Sequence, residues 1–193
     1  MKHITRTVSL MTFVALIVSG CGGAGTETST SSSNGANTTT SLAVSLRTVF
    51  LVVNGPIDFT LQKVSVVDEE VASDLTDQVR LALAELFELT GTKLENYNRQ
   101  QMTDLGTAVP QNININNVAI TDGVVSIDLD DGIRLTSGSS SEESLFAQQL
   151  AHTALLDASL TEVRVLINGQ QISDLWGHLD WSLPITADPT VLQ

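Results

Sequence analysis

From Leu46 to Val53 the chain is a run of β-forming residues, with Val49, Leu51 and Val53 on one face and Phe50 and Val52 on the other. Asn54-Gly55-Pro56 closes this strand, because proline cannot donate to a sheet ladder. Leu61 to Val67, carrying Val64, Val66 and Val67, predicts a second short strand. From about Glu69 the period becomes helical: Leu75, Val79, Ala82, Leu86 and Leu89 recur every three or four residues, and Thr90-Gly91 is the expected stop. Asp68, Glu69, Glu70, Asp74 and Asp77 crowd the first turns, where the helix dipole favours anions. Residues 92–112 are polar, with Gln100-Gln101, Gly106 and Pro110, and predict a long excursion with one short helical turn.

The clearest local signal is a hairpin. Asn114 to Thr121, Asp122-Gly123 and Val124 to Leu129 form two strands around a two-residue primed turn, with Ile120 opposite Val125 and Val118 opposite Ile127. Ser140-x-x-Glu143 then reads as a capping box for a second long helix running to about Ala158. Val163, Val165 and Ile167 alternate into Asn168-Gly169, another primed turn, with Gln170 to Ile172 returning. The order β-β-α-β-β-α-β-β predicts an α+β open sandwich, a mixed or antiparallel sheet with two helices packed on one face.

Ahead of this lies a different texture. Lys2 and Arg6 precede an apolar run from Val8 to Val18, shorter than the roughly 20 residues needed to span a bilayer, followed by Ser19-Gly20-Cys21. Val18-Ser19-Gly20-Cys21 resembles a bacterial lipobox, which implies cleavage after a signal peptide of residues 1–20 and diacylation, as with palmitate, of Cys21. Residues 21–41 read as a lipidated cysteine and a flexible tether, since fifteen of the twenty positions from 22 to 41 are Gly, Ser or Thr. The expectation is an exported protein, lipid-anchored at the cell membrane without spanning it.

Composition narrows the function. The chain has 193 residues, 22 Asp+Glu against 9 Lys+Arg, and a formal net charge of −13. So acidic a chain offers no footprint for a nucleic-acid backbone or an anionic lipid surface. One cysteine excludes an intrachain disulfide framework and a Cys-based zinc cluster.

Residues 47–186 resemble the GerMN domain of bacterial envelope lipoproteins of the sporulation and germination type. The resemblance rests on Thr48-Val49-Phe50-Leu51-Val52-Val53-Asn54-Gly55, Asp122-Gly123-Val124-Val125-Ser126-Ile127-Asp128-Leu129, Gly138 through Gln149-Leu150, Val163-Arg164-Val165-Leu166-Ile167-Asn168-Gly169-Gln170, and Gly177-His178-Leu179-Asp180. It implies a GerMN-like domain over residues 42–190. It further implies a non-catalytic role in binding or assembly, with envelope proteins or peptidoglycan-associated machinery as partners and no cofactor.

Other chemistry has candidate residues but lacks its framework. His152 and His178 are the candidates for a cell-wall hydrolase, with a nucleophile from Ser139-Ser140-Ser141, but no Gly-x-Ser-x-Gly elbow is present. The same two histidines set no zinc-ligand spacing. Asp128, Asp130 and Asp131 are weak calcium candidates: Gly132 falls at the fifth position of the loop, where an EF-hand needs an oxygen ligand, and no Glu closes it. Trp176 and Trp181 read either as core lids or, with His178, as an exposed partner patch.

Overall fold

The computed structural model describes residues 45–54 and 59–193. The predicted signal peptide, Cys21, the tether and the Gly55-Pro56 turn lie outside them. The two-faced apolar run becomes β1 (Ser45–Asn54), paired antiparallel along its whole length with β2 (Phe59–Asp68). On its other side β1 meets only the two-residue β3 (Leu105–Gly106), so this sheet runs β2-β1-β3.

The first helix, α1 (Leu75–Glu88), begins later than its periodicity suggests. Asp74 is the N-cap, its carboxylate accepting the Asp77 N–H at 2.8 Å, so the acidic residues before it form the approach loop. Val79, Leu83 and Leu86 make its buried stripe. Thr90-Gly91 ends this helix but starts another, α2 (Gly91–Gln101), where a single short turn was expected. Only Leu94 of α2 is buried, so there was little apolar period to read. Asn98, near the end of α2, holds β3 in place: its Oδ1 accepts the Leu105 N–H and its Nδ2 donates to the Leu105 carbonyl.

The hairpin forms as its pattern requires. Strands β4 (Ile115–Thr121) and β5 (Val124–Leu129) pair with Ile120 opposite Val125 and Val118 opposite Ile127. Asp122 and Gly123 turn with φ of 51° and 80°. After a 3-10 turn (Asp131–Leu135) comes α3 (Ser140–Ala154). Its capping box sits one residue earlier than expected: Ser139 and Glu142 satisfy each other, and Glu143 turns inward. The helix stops at Ala154, short of Ala158, and just beyond it Asp157 takes the Ser159 N–H and hydroxyl.

Helix α3 is the crossover that lets β6 (Glu162–Ile167) lie parallel to β5. Strand β7 (Gln170–Gln171) completes a second sheet in the order β4-β5-β6-β7. The α+β open sandwich stands, with its strands in two sheets and a third helix added. One core joins them: Val49 and Leu51, Leu83 and Leu86, Ile127 and Leu129, Phe146 and Leu150, and Val163 all meet in it. Each such side chain contributes roughly 1.5–3 kcal/mol by leaving water. A smaller cluster, Phe50, Val52 and Leu61 with Leu145 and Val191, lies apart from it. Among the described residues no helix is long and apolar enough to cross a membrane.

Candidate functional site

The residues singled out by sequence meet different fates. Trp181 is 3% exposed, and its indole Nε1 donates to Glu143 Oε1 at 2.6 Å. The backbone N–H groups of Trp176 and His178 donate to the same carboxylate at 3.1 and 2.9 Å. Both indoles pack on Phe146, with ring centroids 5.8 Å away for Trp176 and 5.9 Å for Trp181. Of the three residues read as lids or patch, Trp181 is buried, Trp176 is half-buried and the His178 side chain is exposed. The tryptophans are core lids, and the turn between them is clasped by a buried acid from α3. The His178 backbone bonds across to Glu143 while its side chain is exposed.

His152 is buried against Phe50, with ring centroids 5.1 Å apart, and its Nε2 donates to the Asp188 carbonyl at 2.9 Å. That bond ties the last turn of α3 to the closing segment. Asp130 caps the 3-10 turn through Gly132 N–H and accepts two bonds from Asn114. Asp128 takes the Gly169 N–H at 2.7 Å. Asp128 and Asp130 thus close a strand end and two turns, and Asp131 stands in the first turn of the 3-10 helix. Among the described residues no group of three or more His, Cys, Asp or Glu could hold a metal ion.

Local spacing did not reveal the buried roles of Glu143, Gln149, Thr153 and Arg47. Besides Glu143 there is Gln149, which donates from Nε2 to the Phe50 carbonyl at 2.8 Å and accepts the Ala108 N–H at 2.7 Å. Thr153, one turn on, accepts the Phe50 N–H at 3.3 Å. Together they cap the side of β1 that has no strand beside it. Arg47, 7% exposed, pairs with Asp68 at 2.5 Å and donates to the Glu70 carbonyl, yet its Nε has no partner among the described residues. A guanidinium between β-formers was the available signal.

Arg47 lines a cavity of about 190 Å³ bounded by the start of β1, the first half of α1 and the end of α3. Phe50 and Val52 direct their backbone groups away from β2, toward α3 and β3. By the alternation of an antiparallel ladder, Leu46 and Thr48 direct theirs the same way, where no described residue meets them. The cavity rim is apolar: Leu46 is 71% and Leu156 46% exposed.

The family model described as Germane, sporulation and spore germination, matches residues 34–173. No curated protein matches the chain. Among solved structures, the tandem GerMN domains of the sporulation protein GerM from Bacillus subtilis superpose with a TM-score of 0.51 at 18% identity. That match covers 76% of this chain and 46% of that one, so this chain spans less than half of the tandem protein. The first GerMN domain of GerM alone gives 0.44 at 16% identity, over 77% of this chain and 97% of that chain. A protein assigned as a lipoprotein from Clostridium perfringens gives 0.48 at 14%, over 74% and 87%. The tandem GerMN structure shares the fold traced above, and the family model, running from residue 34 to residue 173, makes this chain a member of the Germane family of sporulation and spore germination.

Proposed function

We propose that this chain is a lipid-anchored envelope module that works by binding, with proteins or cell-wall-associated machinery as partners, and performs no chemistry. The observation that carries this reading is the Germane match over residues 34–173, a region that begins inside the Ser/Thr/Gly-rich tract behind Cys21. The polar groups add support: Glu143, Gln149 and His152, the buried ones most suited to catalysis, are each engaged in bonds that hold elements together. A lipid on Cys21 and a tether of about twenty residues would hold the domain at an r.m.s. distance of roughly 25 Å from the bilayer.

Cell fractionation of wild type and Cys21→Ser, with radiolabelled palmitate in the medium, tests the anchor. The wild type is expected with the membranes and labelled, and the variant soluble and unlabelled. Equal label on both would overturn the assignment of Cys21.

A further inference from the structure

Resting on the binding reading above, we infer that the cleft at the open side of β1 is a docking groove for one extended segment of a partner protein, apolar at alternate positions and flanked by lysine or arginine. The backbone decides that the occupant is extended. Leu46 and Thr48 present two N–H and two C=O groups to the cleft, a row that only another chain in strand conformation matches. Along the rest of β1 the same side is already closed, by Thr153 and Gln149 at Phe50 and by β3 at Val52. The groove is thus a short interruption in an otherwise satisfied edge.

Two of the other strand edges are dressed differently. The outer edge of β2 is met at Leu61 by Leu192 and Gln193 and carries Lys63, while β7 is only two residues long.

The walls decide the side chains. Leu75, Val79 and Ala82 of α1 line the cavity together with Ala154, the last residue of α3, and Leu156 just beyond it. Its volume of about 190 Å³ far exceeds the ~30 Å³ that one water occupies. At the rim, exposed Leu46 has the exposed Val67 as its cross-strand neighbour, extending the apolar surface. Inside, the buried Arg47 Nε is a donor without an acceptor, and a peptide carbonyl would supply one.

Charge decides the flanks. Asp157 lines the cavity, and Asp74 and Asp77 lie either side of Leu75 in sequence, while the nearby cations Arg47 and Arg80 are both engaged by acidic residues. The surroundings of the apolar rim are net acidic on a chain of net charge −13, which attracts a basic segment and repels an acidic one.

The test uses the full chain purified in detergent and two synthetic peptides of alternating valine and threonine, one ended by lysines and the other by aspartates. Fluorescence anisotropy should show the lysine-ended peptide binding at least about tenfold more tightly. Hydrogen exchange should slow over residues 45–50 when it binds. Thr48→Pro, which removes an N–H from the open side of the strand, should abolish binding, and Asp157→Lys should erase the preference for lysine. The second variant lies on an exposed turn, so it reads the groove even where the first fails to fold.

Protection at the outer edge of β2, or none at any site under saturating peptide, overturns the proposal. So does an already slow Thr48 amide in the free protein, which would place this chain or a second copy in the groove. Crosslinking in cells separates the groove from the broader binding role. Partners retained in full by Thr48→Pro overturn the groove alone, whereas a wild type that crosslinks to nothing overturns the binding function itself.

Discussion

Three N–H donors converge on Glu143, and each loses its acceptor if the carboxylate is removed. Leaving such groups unpaired in the interior costs about 1–3 kcal/mol apiece. Glu143→Ala should therefore lower stability by about 3–5 kcal/mol in urea unfolding, and Glu143→Gln, which keeps one acceptor oxygen, by less. A loss within about 1 kcal/mol for the alanine variant would show that the clasp does not hold the tryptophan turn. The residue was visible in the sequence but misplaced. Ser139-Ser140-Ser141 followed by Glu142-Glu143 contains two overlapping capping boxes, and local spacing does not choose between them. Burial chooses: the glutamate on the face toward Trp176 and Trp181 becomes the clasp, and its neighbour caps the helix.

Elements were legible in proportion to how local their signals are. Both primed turns were readable because Asp122-Gly123 and Asn168-Gly169 state their backbone requirement in two residues. Helix α2 and strand β3 were not, since one presents a single buried side chain and the other depends on Asn98 reaching across to Leu105. The two turn glycines have φ of 80° and 73° but different surroundings. A Cβ on Gly123 would come within 2.9 Å of the Ser159 carbonyl oxygen, whereas one on Gly169 meets nothing within 4 Å. Gly169→Ala should cost only the backbone term of about 1 kcal/mol, and Gly123→Ala at least about 1 kcal/mol more, because backbone must move. Thermal melts of the two variants provide the comparison, and equal shifts would mean that Ser159 yields freely.

The whole molecule folds while carrying a large excess of acid, and its carboxylates pull its pH dependence in two directions. Burial, then Glu88 and Asp68, raises the pKa of Glu85 above its ordinary 4.5. The ionised form is therefore the disfavoured one in the fold. That penalty is complete above the raised value and gone once pH falls below 4.5. Glu85→Gln should melt higher than wild type at pH 7, with the advantage shrinking on acidification and vanishing below about 4.5. An advantage that persists there would assign the gain to something other than charge. In the other direction, hydroxyl hydrogen bonds from Ser159, Ser182 and Thr190 hold Asp157, Asp180 and Asp188 below 3.8. The stability they lend is present above 3.8 and is lost as pH falls through their lowered values. The acidic composition was plain from the sequence, but which acids are stressed and which are relaxed depended on packing that no spacing reveals. Helix α3 also carries a consequence for how the chain assembles. It belongs by connection to the β5–β6 sheet, yet through Gln149 and Thr153 it closes on Phe50, 99 and 103 residues away in the other sheet. The β1–β2 and β4–β5 hairpins can each form from neighbouring sequence, but the parallel pairing of β5 with β6 and the sealing of β1 both wait for this helix. Its docking, together with that of α1 against both β1 and β4, ties the two hairpins into one folding unit.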